Sequence, residues 1–201
     1  MTAMNETIYR LLMVVAFLFM MGVRIYYQRK VLKDERKFEM TEGMLDLIAG
    51  SVAALTSIVF GGAYILVPKA FGFAYLLDYP DWLRWAGGGL LAGGITLLWA
   101  AHHHLDISFN SFVGTREDQK LVKTGPYRLI RHPIYTAYFM NYLGGGLLAS
   151  HWVLTFIPVI FFGVLVFNRM GKEEQMLRKE FGAEYENYAS QTGILLPKIG
   201  K

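Results

Sequence analysis

The chain has 201 residues, of which 54% are hydrophobic and 18% charged, with a formal net charge of +4 and no cysteine. Its mean hydropathy of +0.31 is foreign to an ordinary soluble domain of this size and argues against a water-soluble globular enzyme. The missing cysteines exclude disulfides, thiolate metal sites and cysteine nucleophiles.

Five apolar blocks follow one another, at residues 9–26, 45–67, 82–101, 134–149 and 152–167. A helix needs about 20 apolar residues to cross a bilayer core of about 30 Å. The first block predicts a membrane helix rather than a cleavable signal peptide, because Arg10 is embedded early and no small-residue cleavage site follows. Within it, Phe17, Phe19, Met20 and Met21 read as packing or lipid contact. The second and third blocks meet the length requirement cleanly. The fourth and fifth are shorter, and their junction at Ser150-His151 predicts a tight hairpin that sits low or tilted in the membrane. The expected fold is all-α: one polytopic membrane domain over residues 1–201 with about five transmembrane helices. Three of them fall in residues 1–101. Residues 102–201 hold a polar region, the hairpin and an amphipathic tail.

Charge orients this arrangement. Lysines and arginines gather at residues 24–37, 116–131 and 169–201, and only Arg10, Lys69 and Arg84 fall on the opposite side. The positive-inside rule then places the N-terminus outside and the C-terminus in the cytoplasm. The basicity is mostly topological, with a secondary attraction to anionic membrane lipids. Nucleic acid is not an expected partner, and oligomeric state is not legible. Glycines at 87–89, 93–94 and 144–146 predict close helix–helix approach. A subordinate reading leaves room beside residues 144–146 for a ligand or lipid chain.

Chemistry concentrates in the C-terminal half. His102, His103 and His104 with Asp106 suggest metal ligands by type, yet consecutive helical residues point three ways, so no metal is expected there. One histidine near the mouth of a site is the expectation instead. The run LVKTGPYRLIRHPIY occupies residues 121–135. Thr124-Gly125-Pro126-Tyr127 reads as a turn, whose backbone N–H groups suit a carboxylate or a ribose oxygen. Arg131-His132-Pro133 opens the fourth helix, with proline where its missing donor is harmless, and a helix N-terminus attracts anions. Tyr127, Tyr135 and Tyr138 add aromatic faces for an adenine ring or a cationic centre. An interfacial belt accounts for any one of these residues; the whole spacing points to function.

A second polar run, RMGKEE at residues 169–174, begins where the fifth helix is expected to end. Arg169 and Glu173 are four apart and share a helix face. Alone they would form a solvated ion pair of small consequence. Phe181, Gly182, Glu184, Tyr185 and Tyr188 then form a tail able to fold back over the site, and Pro197 ends the pattern.

The combination of L-V-x-x-G-x-Y-x-x-x-R-H-P-x-Y, R-x-x-x-E-E and F-G-x-E-Y-x-x-Y over residues 119–197 resembles the isoprenylcysteine carboxyl methyltransferase family. The resemblance implies an integral membrane enzyme that binds S-adenosyl-L-methionine and methylates the carboxylate of a prenylated cysteine or similar lipophilic molecule. By position it implies a cytoplasm-facing cofactor site of Gln119, Lys120, Leu121, Val122, Gly125, Tyr127, His132, Pro133, Ile134, Tyr135 and Glu173. The family's substrate-contacting, catalytic arginine falls on Arg169, and no metal is implied. Gln119 replaces a histidine frequent in eukaryotic members. Ser190, Gln191 and Ile194 replace basic residues of many prokaryotic ones.

The acceptor stays open among carboxylate, thiol and amine. Two other readings stand beside this one. A sterol-reductase-like membrane enzyme using NADPH has a similar R-H-x-x-Y element, but the compact G-P-Y-R-x-x-R-H-P form and the short chain disfavour it. A non-catalytic membrane scaffold is disfavoured by the dense polar motif on the cytoplasmic side.

Overall fold

A computed structural model describes residues 3–32, 43–67, 70–75, 77–105 and 121–198. Its helices are α1 (Ala3–Leu32), α2 (Met44–Leu66), α3 (Asp81–Leu105), α4 (Pro133–Ala149), α5 (Trp152–Phe181) and α6 (Ala183–Gln191). Two short 3-10 turns lie at Gly72–Tyr75 and Gly125–Arg128. Among the described residues there is no strand, and the extended backbone forms one isolated bridge between Ile130 and Gly193.

Three helices, α1, α2 and α5, are long and apolar enough to cross a membrane. The other two expected spans fall short of that standard for visible reasons. α4 has only 17 residues. α3 has 25, but its glycines, tryptophans and Arg84 dilute its hydropathy. The exposed large side chains of α1 and α2, from Leu11, Val15 and Leu18 to Leu47, Leu55 and Ile58, are what a lipid-facing surface requires. An apolar groove of about 470 Å³ on α1, lined by Val15, Leu18, Phe19, Gly22 and Val23, belongs to that surface.

Glycine governs how α3 meets α4. A Cβ on Gly87 would come within 2.6 Å of Leu147 Cβ and 2.7 Å of Leu148 N, and one on Gly144 within 2.7 Å of both Gly87 O and Leu91 N. Gly94 faces Asn141 and the Ala137 carbonyl just as closely. These contacts let the two backbones touch, which supplies the van der Waals packing that lipid does not drive. Gly146 likewise lies against the backbone of Leu154 and Thr155, across the hairpin. Backbone from α3 and α5 therefore fills the space beside Gly144 and Gly146, and the suggested ligand room is absent there. Gly144→Ala is expected to cost about 1–3 kcal/mol, because the new methyl meets backbone on the facing helix. Thermal unfolding in detergent should show a lowered Tm for Gly144→Ala and none for Leu143→Ala, whose side chain is exposed.

The hairpin turns where the junction residues predict. Ser150 adopts the left-handed conformation (φ 52°), and His151 caps α5 by accepting the Leu154 N–H at 3.2 Å. Against the hairpin, Ala49 and Ala53 of α2 pack on Phe162, Leu165 and Val166 of α5. α1 is tied to the bundle through Arg84, which is fully buried rather than a surface flank. Its guanidinium donates to Leu148 O and Glu6 at 2.9 Å and to the Tyr64 hydroxyl at 3.1 Å, while lying 4.0 Å over the Tyr9 ring.

One departure from expectation matters for function. α5 does not end near residue 167 but runs on to Phe181, where Gly182 (φ 50°) stops it. The polar run at residues 169–174 is thus a rigid helical continuation of an apolar span.

Candidate functional site

Residues 121–132 lead into α4 through a sequence of local constraints. Thr124 is extended, Gly125 turns the chain with φ 56°, and Pro126 opens the 3-10 turn. The ring of His104, at the end of α3, occupies the space a Cβ on Gly125 would need. Its Nδ1 lies 3.1 Å from Thr124 Oγ1. One histidine of the triplet therefore does sit on the motif. The other two diverge: His103 stacks on Trp99 at 5.4 Å, and His102 is buried with Nδ1 2.9 Å from Leu98 O. Among the described residues no group of three His, Cys, Asp or Glu side chains converges as metal ligands would.

His132 precedes α4, and Pro133 is its first residue, as the motif predicts. Here the polar groups of the two runs meet. Arg131 Nε donates to Glu174 Oε1 at 2.7 Å, and its Nη1 donates to the carbonyls of Ala189 (3.0 Å) and Thr192 (2.7 Å). His132 Nε2 lies 3.1 Å from the same Glu174 oxygen, and its Nδ1 is 3.5 Å from Glu173 Oε2. Tyr135 donates its hydroxyl to Glu173 Oε1 at 2.5 Å, with its ring stacked on His132 at 5.5 Å. The two adjacent glutamates diverge by about 100° around α5, as helix geometry dictates. Glu174 thus anchors the structure. Glu173, 24% exposed, stays within reach of a ligand.

The tail folds back and locks this assembly. Arg131 N–H and His132 N–H donate to Gly193 O (2.9 Å) and Ile194 O (3.1 Å), and Gly193 N–H donates to Leu129 O (3.1 Å). Thr136 Oγ1 adds a bond to Leu195 O at 2.7 Å, and Tyr188 donates to Tyr127 O at 2.8 Å. The phenols at this junction are held neutral. Burial, with Tyr188 and Glu173 nearby, pushes the Tyr127 hydroxyl up. Burial beside the Glu174 carboxylate does the same to Tyr185, and burial takes Tyr188 to about 12.

The residues named from sequence are therefore distributed unevenly. His132, Tyr135 and Glu173 converge, Pro133 starts the helix beneath them, and Tyr127 lies buried under Tyr188. Gly125 is clamped by His104. Leu121 and Val122 are half-buried in the extended lead-in. The Ile134 side chain packs away from the cluster, on Val23, Tyr27 and Leu98, so only its backbone remains near it. Gln119, Lys120 and Asp106 lie outside the described residues. Arg169 sits one turn before Glu173 on α5, half-buried with its Nε enclosed, and within electrostatic reach of the Tyr135 hydroxyl.

Sequence reasoning missed Arg131 and Glu174 as partners and the backbone pairing of residues 192–195 with the motif. The signal for Glu174 was present in the doublet, since neighbouring helical residues leave the axis about 100° apart and meet different partners, here Tyr135 and Arg131. The tail was expected to fold back over the site; its backbone pairing with residues 129–132 was not.

The family described as "Isoprenylcysteine carboxyl methyltransferase (ICMT) family" matches residues 88–179, from mid-α3 to the end of the polar part of α5. The protein-S-isoprenylcysteine O-methyltransferase of Saccharomyces cerevisiae is 34% identical over 101 residues, covering 49% of this chain and 42% of that protein. The nickel-cobalt-cadmium resistance protein NccN of Alcaligenes xylosoxydans xylosoxydans is 28% identical over 88 residues, covering 44% of this chain and 41% of that one. In both cases the match spans less than half of the relative's own length. A solved structure of a eukaryotic intramembrane Ras methyltransferase, ICMT, shares the fold at a TM-score of 0.54 and 22% identity, over 78% of this chain and 52% of that one.

Proposed function

From the match of residues 88–179 to the isoprenylcysteine carboxyl methyltransferase family, we propose that the chain is a membrane methyltransferase using S-adenosyl-L-methionine on a lipophilic carboxylate. The observation that carries the reading is the junction of His132, Tyr135 and Glu173, one helical turn from Arg169, where α5 leaves its apolar stretch. In this reading α3 and α4 complete a five-helix membrane domain. The N-terminus faces outward, and the junction faces the cytoplasm.

The residues present fit that cofactor. Glu173 is a partly exposed carboxylate held by one oxygen to Tyr135, which suits a ribose hydroxyl or an amino group. The stacked His132–Tyr135 pair adds planar surface and a ring nitrogen beside it. Leu121, Val122, Gly125 and Tyr127 supply the adjoining backbone, with Gln119 and Lys120 before them. When bound, S-adenosylmethionine supplies an electrophilic methyl group on a sulfonium.

The chain's own residues then have a limited task. A carboxylate acceptor, with a solution pKa of about 4, is already ionised at neutral pH, so no general base is needed. What remains is alignment. Arg169 orients the acceptor carboxylate through a charge-assisted pair. Burial at the membrane edge strips water from an anion and a cation that both lose charge on reaction. The lipophilic part of the acceptor stays in the bilayer beside α1 and α2.

Incubating the purified protein with methyl-labelled cofactor and a prenyl-cysteine should place label in a base-labile ester. A carboxamide analogue should take up none. Label that survives base would move the acceptor to a thiol or an amine and remove the role given to Arg169.

A further inference from the structure

Asp46 stands in the first turn of α2, outside the family-matched residues, and is 4% exposed. Among the described residues its ion-pair partner is Lys172 Nζ, 3.8 Å away on a half-exposed side chain. A buried carboxylate loses more hydration than one distant, solvated ammonium returns. Position ties Asp46 to the site. Lys172 is the chain neighbour of Glu173, and Ala49, one turn along α2 from Asp46, lies in the cluster against which Tyr135, the partner of Glu173, packs. Arg169 stands one turn before Glu173 on the same helix. The site thus has a cation on α5 and a buried anion on α2.

We propose that Asp46 is a charge-selecting residue of the cofactor site, making it prefer the sulfonium-bearing methyl donor to the neutral thioether product. This rests on the methyltransferase reading. The assignment divides the two charges between two reactants: Arg169 faces the anionic acceptor, and Asp46 offsets the cationic donor. Once the methyl has left, the thioether has lost the charge that Asp46 attracted, so the product is held less tightly. A purely structural role is the alternative, in which a first-turn acid serves the α2 dipole and clips α2 to α5 through Lys172.

Calorimetric titration of the full chain in detergent separates these roles. Wild-type protein should bind S-adenosylmethionine more tightly than S-adenosylhomocysteine. Asp46→Asn should weaken the former about tenfold and the latter less than about twofold, the effect of one buried charge on a charged ligand. Asp46→Glu and Lys172→Met should both keep the preference for the donor. The inference is overturned by equal losses for both ligands in Asp46→Asn, by a Lys172→Met variant that reproduces them, or by wild-type protein that prefers the product. That last comparison stands even where Asp46→Asn does not fold. Wild-type protein that binds neither ligand overturns the methyltransferase reading itself.

Discussion

Arg169→Ala should abolish methyl transfer while leaving S-adenosylhomocysteine affinity within about threefold of wild type. The acceptor loses charge as it reacts, so what the contact supplies is position, and a misplaced carboxylate costs on the order of 10² or more in rate. Glu173→Ala should show the opposite balance. Its carboxylate is fixed by Tyr135 at 2.5 Å and remains partly exposed, so its loss should weaken cofactor binding about tenfold or more. Lys at position 169 should restore little, because a point charge does not reproduce the planar fork of a guanidinium. Equal loss of cofactor affinity in Arg169→Ala and Glu173→Ala would sink this division of roles.

Arg131→Met should unfold the tail rather than merely slow the reaction. The pair it forms with Glu174 is 9% and 14% exposed on its two sides, and the same guanidinium ties down the carbonyls of Ala189 and Thr192. Breaking a buried pair from one side costs about 3–5 kcal/mol, because a charge stays buried without its partner. Limited proteolysis should then cut within residues 183–198, which wild-type protein protects. Cofactor affinity should fall as well, since His132 loses the strap that fixes its backbone. Arg131→Met combined with Glu174→Leu should recover part of the stability by removing both charges. A single variant as stable and as resistant as wild type would show that the tail is held by something other than this knot.

Hydropathy revealed the helices because a bilayer imposes a length and a polarity on whatever crosses it. The hairpin was equally legible, since Ser150-His151 interrupts two apolar blocks with a turn and a cap. Glycine clusters announced close packing but not its pairs: that Gly144 meets Gly87 while Gly146 meets Thr155 depends on helix rotation, which one sequence does not encode visibly. At the site, Tyr135 and Glu173 were named separately, and their 38-residue separation is closed by the hairpin. Glu174 was overlooked because its partner, Arg131, was read as an anion-attracting group at a helix start. In the folded chain that arginine is consumed internally, and the anion it holds is Glu174. Asp46 escaped because it is distant in sequence from both motifs and meets Lys172 only through the packing of α2 on α5.

Calorimetric titration of the detergent-purified protein with S-adenosylhomocysteine, beside NADPH, tests the central claim most directly. The account predicts saturable binding of S-adenosylhomocysteine alone, lost in Tyr135→Ala and Glu173→Ala. Binding of NADPH alone, or of neither ligand by demonstrably folded protein, would contradict it.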